Sequence, residues 1–316
     1  MRFLVLAAPI ALIGLVVALL RRTVVTVAGG DHPGVVAIAR HTRRWRVLGL
    51  VAGVVAAVLL LTLGERVDAL GRLSALAPVA LGAGVLLGTI AGELTARAPV
   101  GVRRSAAVET RRLAPLVPRA PAVVLGAGSA LLVGALAAGT AWGSADDLGR
   151  AGRALSMTCT QVLPDLGTTT VGSSRGPWPG SFYSVPLFLA LLVLAALVVV
   201  ALRVIVRRPR PEVDSLALDT TLRRWSVGTV LTAATVAVLG TLGPVATLML
   251  GALRGMSCDL STVQSAVMWV CLVVGPVATG ATLGVLGRLL LTPRIRVEDL
   301  PRPLPGDATH VGAPVR

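Results

Sequence analysis

The sequence predicts an all-α, polytopic membrane bundle of seven transmembrane helices, N-terminus outside and C-terminus inside. Three observations carry this. The 316-residue chain is 54% apolar and only 14% charged, with a mean hydropathy of +0.82; an ordinary soluble domain carries about 25% charged residues. The apolar residues are gathered into seven long runs almost free of charge. The runs are continuous rather than alternating, which selects helices over barrel strands, the two backbone forms that satisfy their own hydrogen bonds in lipid. A soluble enzyme is excluded.

A helix needs about 20 apolar residues to cross the hydrocarbon core. The runs that qualify are 3–20, 47–64, 73–92, 122–142, 185–206, 226–249 and 266–286. The first has Arg2 before it and Arg21 and Arg22 after it, the reverse of a secretory signal's charge order. Together they make one transmembrane domain, 1–292, followed by a Pro- and Arg-containing cytoplasmic tail, 293–316, expected to lack ordered structure. The loop 143–184 is the longest outer segment and is expected to cap the bundle. Its opening predicts a short helix, with Ser144 as cap and Asp146 and Asp147 in the first turn.

All 30 cationic residues are Arg, and Lys and Asn are absent, as expected of a GC-rich bacterial genome. A net charge of +15 in a soluble domain would point to nucleic acid. In a membrane chain it reports topology, because cytoplasmic loops accumulate Arg and Lys. With the N-terminus outside, the inner segments hold 23 Arg and the outer ones 7. Six acids, Glu65, Asp68, Asp146, Asp147, Asp165 and Asp259, bring the outer face close to neutrality. Trp45 and Trp225 fall at inner interfaces; Trp142, Trp178, Phe182 and Tyr183 fall at or near the outer one, where amphipathic rings prefer to sit. The expected location is the plasma membrane, with the lipid bilayer as partner and no nucleic acid.

Two inner stretches are alike, 36–45 (VAIARHTRRW) and 216–225 (LALDTTLRRW), with a weaker third copy at 109–112. Each is expected to extend the following helix into the cytoplasm. Two explanations stand side by side: three helical hairpins of common origin plus a seventh helix, or an Arg-Arg-Trp string selected by the interface itself. On the first, Arg43, Arg44, Trp45, Arg223, Arg224 and Trp225 would dock a cytoplasmic partner such as an ATPase. The Asp-x-x-Leu-Arg-Arg-x-Ser string at 219–226 resembles uncharacterised multi-pass membrane proteins of GC-rich bacteria. That resemblance covers under a tenth of the chain and implies no activity.

Intramembrane ionisable groups usually mark ion paths, and these spans hold essentially none; Glu93 and Arg288 lie just beyond spans three and seven. His32, His41 and His310 have no metal-ligand spacing. No nucleotide-binding or nucleophile-elbow string appears. The sequence therefore predicts no catalysis, no metal and no cofactor.

Small residues recur at spacing four: Gly49, Gly53 and Ala57; Gly84, Gly88 and Gly92; Gly126, Ala130, Gly134 and Ala138; Gly280 and Gly284. Such stripes let helices approach closely, within the chain or between copies, so the oligomeric state stays open. Pro78, Pro244 and Pro276 interrupt spans. The last two sit in duplicate Gly-Pro-Val-Ala-Thr strings, making Gly243, Pro244, Thr247, Gly275, Pro276 and Thr279 a candidate outer-half site at paired kinks. Cys159 and Cys258 share the outer face and are expected to form a disulfide, while Cys271 lies inside span seven as a small apolar residue. The expected function is non-catalytic: a scaffold, sensor or immunity-type component. The alternative is a permease-like subunit energised by a separate ATPase.

Overall fold

In a computed structural model, the chain is described at residues 24–28, 33–67, 70–96, 113–163, 167–208, 216–290 and 294–298. Span 3–20 and the third repeat at 109–112 lie outside these residues. The described chain is mainly helical: α1 (Pro33–Val67), α2 (Ala77–Leu94), α3 (Arg119–Trp142), α4 (Ser181–Arg207), α5 (Leu216–Arg254) and α6 (Thr262–Leu290). All six are long and apolar enough to cross a membrane, the pattern of a multi-pass membrane protein. They correspond to spans two to seven. As expected, the stretches 36–45 and 216–225 run uninterrupted into α1 and α5.

Helix α5 is the axis. Val227, Val230, Ala233, Ala237 and Met249 on it are fully enclosed, and α2, α3, α4 and α6 pack around it while α1 packs on α2. Without a hydrophobic drive between helices in lipid, close backbone approach must hold such a bundle, and glycine provides it at two seams. A Cβ on Gly82 would lie 2.8 Å from Ala237 Cβ of α5. Between α1 and α2, a Cβ on Gly49 would lie 2.5 Å from the Gly84 carbonyl oxygen, and one on Gly88 would lie 2.5 Å from the Trp45 carbonyl oxygen. Two of the four glycine stripes are thus consumed within the chain. The third is not: Gly126 and Gly134 of α3 face open space. Gly88→Leu is expected to destabilise the protein by about 3 kcal/mol or more, the upper end for overpacking. Gly126→Leu should be near neutral. Thermal unfolding of the two variants in micelles checks the contrast.

Pro78 does not break a helix. It sits in the first turn of α2, where its missing N–H has no partner to lose. The long loop also differs from expectation. Instead of a short helix it begins with Ser144 bridged to Ala154 and continues as a hairpin of β2 (Leu155–Leu163) and β3 (Gly167–Arg175), paired antiparallel with Thr160 opposite Thr170. Asp146 accepts hydrogen bonds from the Leu148 and Arg150 N–H groups, 3.1 and 2.8 Å away. Its carboxylate closes a turn rather than capping a helix, a competition short polar side chains often win.

The tail is corrected in part. Residues 294–298, placed in an unstructured segment, form β4 (Arg294–Glu298), parallel to β1 (Val24–Ala28) with Val24 opposite Arg294. The Arg-Ile-Arg-Val alternation is a strand pattern, but its partner is at the other end of the chain.

Candidate functional site

Two ends of the bundle carry the polar chemistry. One bears the β2–β3 hairpin and is called the capped end; the other, where α2 and α4 finish, is called the basic end.

At the basic end the structure gathers an ionic cluster that sequence reading missed. Glu93, in the last turn of α2, is 3% exposed. One of its oxygens accepts from Arg208 Nη1 at 3.0 Å, the other from Ser226 Oγ at 2.7 Å. Arg208 Nη2 donates to Asp219 at 2.8 Å, and Arg223 Nε donates to the other Asp219 oxygen at 2.7 Å. Arg46 of α1 donates to Ser226 Oγ at 2.6 Å, and its guanidinium lies 3.9 Å over the Trp225 ring, a cation–π contact. Six buried side chains thus join α1, α2, α5 and the end of α4. Arg223 also donates to the carbonyls of Ile205, Val206 and Arg208. It serves as the C-terminal cap of α4, where a cation meets carbonyls left without helical partners.

This changes the reading of the docking residues. Arg43 and Arg44 are exposed, as a docking face requires. Arg223 is buried and engaged within the fold, and Trp225 is covered by Arg46. Arg224 is exposed, with its Nε 3.3 Å from the Pro115 carbonyl oxygen. Trp45 is half-buried against Gly92. Matching Arg-Arg-Trp strings therefore occupy unlike environments. A signal for the cluster existed: Asp219 and Arg223 stand four apart on one helix, the spacing and order that pair best. Nothing local showed that Glu93 would meet them.

Four of the six kink residues, the two glycines and the two threonines, come together, but on one another. A Cβ on Gly243 would lie 2.5 Å from Thr279 Oγ1, and one on Gly275 would lie 3.3 Å from Thr247 Oγ1. The duplicate strings are thus reciprocal halves of one antiparallel contact, each threonine above the other string's glycine. The hydroxyls turn back onto their own helices, Thr247 to the Gly243 oxygen at 2.8 Å and Thr279 to the Gly275 oxygen at 2.9 Å. Pro244 and Pro276 lie inside continuous helices. The arrangement packs α5 on α6, with both hydroxyls engaged by their own helices.

At the capped end the hairpin is anchored on several sides. The Cys159 and Cys258 sulfurs are bonded, with Cα atoms 5.6 Å apart. Trp178 is wholly buried and donates through Nε1 to the Gly139 oxygen of α3 at 2.7 Å. The Ser257 N–H donates to Ser173 Oγ of β3 at 3.1 Å, and at the same end Tyr183 ties the start of α4 to the Leu70 oxygen at 2.6 Å. Desolvation opposes ionisation of Asp146, but hydrogen bonds from Arg153, from the Arg150 N–H and guanidinium, and from the Leu148 N–H outweigh it. Together they hold this carboxyl well below the usual carboxylate range. The opposite face of the hairpin is open. Ser156, Thr158, Thr160, Thr168, Thr170 and Ser174 are all exposed there, on one side because alternate residues share a face. Among the described residues, the result is an uncharged surface of hydroxyls on an anchored support. No protein-family model, curated protein or solved structure matches the chain.

Proposed function

We propose that this is a plasma-membrane protein of seven spans, N-terminus outside, that works by binding rather than by catalysis. On this reading the capped end lies outside and displays the hydroxyl face to a partner, as a scaffold, sensor or immunity-type component would. The observation that carries it is the hairpin itself: a projecting face of hydroxyls, uncharged among the described residues, held by a disulfide, a buried Trp and a bridged turn. Fixing a surface in advance lowers the ordering cost of association. The permease alternative draws support from the exposed Arg43 and Arg44, but the paired kinks that favoured it are filled by their own side chains.

One experiment addresses both orientation and working face. A membrane-impermeant maleimide carrying a photo-crosslinker is applied to intact cells with Thr170→Cys or Arg43→Cys. Position 170 should label and, on illumination, yield a discrete adduct lost in Thr168→Arg. Labelling of position 43 in intact cells would reverse the orientation. An adduct found only from position 43, in everted vesicles, would replace this reading with the permease one.

A further inference from the structure

The outer side of helix α4 ends, at the basic end of the bundle, in a groove that is apolar along its length and cationic at its mouth. At about 100° per residue, Leu192, Ala196, Val199 and Arg203 share one face of α4, and all four are exposed. Arg207, also exposed, continues that face one turn on. Beside the last two turns lies a groove of about 270 Å³, lined by Leu113, Val199, Leu202, Arg203, Val206 and Arg207. Its second wall is Leu113 and the short turn Ala114–Leu116. That wall is fixed from two sides. Leu116 is buried in the same apolar cluster as Ala201 and Ile205 of α4, and the Pro115 carbonyl accepts from Arg224 of α5.

Charge here is one-sided. Helix α4 contains no acid. The carboxylates that α2 and α5 bring to this end, Glu93 and Asp219, are buried and bonded to Arg208, Arg223 and Ser226. Neither lines the groove. These properties select the occupant. Its anionic part meets two guanidiniums four residues apart, a group whose planar fork holds phosphate oxygens in pairs. Its apolar part follows Val206, Leu202 and Val199 toward the middle of a span. At about 270 Å³ the groove is smaller than the roughly 300–1,000 Å³ of a site that engulfs a drug-sized ligand. It has room for a phosphate and the first part of one chain. The apolar wall runs on into the exposed side of α4, which in a membrane faces lipid, so the remainder stays in the bilayer.

We propose that this groove binds an anionic phospholipid from the leaflet at the basic end. Its phosphate sits on Arg203 and Arg207, and one acyl chain lies along Val206, Leu202 and Val199 against Leu113. A zwitterionic lipid brings the same chains, but its own cation cancels the attraction. The site is separate from the hairpin at the capped end and does not depend on what that hairpin meets.

The test is native mass spectrometry of the full chain, released from micelles holding equal amounts of phosphatidylglycerol and phosphatidylcholine with the same acyl chains. The parent is expected to retain one phosphatidylglycerol in preference to phosphatidylcholine by about tenfold or more, each cation near an anionic lipid contributing several-fold. Arg203→Gln with Arg207→Gln should abolish that preference. Arg40→Gln with Arg288→Gln removes the same charge from exposed residues at the same end and should keep it. Leu202→Trp leaves both cations and fills the groove, and should lose the lipid; if that variant fails to fold, the two Arg pairs decide. Equal retention of the two lipids by the parent, an equal loss in the Arg40 and Arg288 variant, or full retention in a folded Leu202→Trp protein would each overturn the proposal. So would binding of glycerol phosphate, which has the anion and no chain, as tightly as the lipid.

Discussion

Glu93→Ala is expected to destabilise the bundle by about 3–5 kcal/mol, the cost of removing one partner from a buried ion pair. Glu93 is the acid beside Arg46, which lies 3.6 Å away and is also buried. Without it, Asp219 is the one carboxylate left in the described cluster, and it is bonded to Arg208 and Arg223 rather than to Arg46. Arg208 keeps its bond to Asp219, but Arg46 keeps only the Ser226 hydroxyl and the Trp225 ring. Glu93→Gln should cost less, because an amide oxygen can still accept from Ser226. The origin of the loss is separable: Glu93→Ala combined with Arg46→Leu should recover a large part of it, because the stranded charge goes too. Thermal unfolding in micelles, followed by tryptophan fluorescence and size-exclusion chromatography, provides the comparison. A Glu93→Ala protein as stable as the parent would mean that the cluster does not hold α1, α2 and α5 together.

Replacing Cys159 and Cys258 together with serine is expected to free the hairpin while leaving the bundle inserted. The bridge closes a separation of 99 residues, for which the chain-entropy model gives about 4–5 kcal/mol. That is an upper figure, because insertion already restricts the unfolded chain. The remaining anchors include Trp178 on Gly139, Ser173 on Ser257 and Arg175 on the Gly255 carbonyl; those on the α5–α6 connection come from β3 and do not replace a covalent tie from β2. Limited proteolysis should then cut within 155–175 in the variant and spare the parent. Non-reducing mass spectrometry of the parent should show the Cys159 and Cys258 peptides linked. Free alkylation of both cysteines in unreduced parent protein would remove the tie and the rigidity argued for the hydroxyl face.

The sequence by itself determined the six helices described here and the pairing of Cys159 with Cys258. Both follow from constraints that act on the chain directly. A backbone in lipid must satisfy its own hydrogen bonds, so an uncharged run of sufficient length is a helix whatever surrounds it. Two cysteines expected to share one oxidising face have few alternatives to each other. What the sequence left open was settled by contacts between distant segments. Glu93 reads as an acid at a helix end until Arg208 and Ser226 close over it, and Arg223 reads as one of a basic pair until the carbonyls ending α4 come within reach. The duplicate Gly-Pro-Val-Ala-Thr strings suggested a ligand site; the antiparallel approach of α5 and α6 sets each glycine under the other's threonine. The opening of the cap was misread as a short helix because Asp146 can sit in a helix's first turn or close a turn with the same oxygens, and the hairpin that follows decides between them. In each case the local pattern allowed two partners, and only tertiary structure, by bringing one within hydrogen-bonding or van der Waals distance, chose which was used.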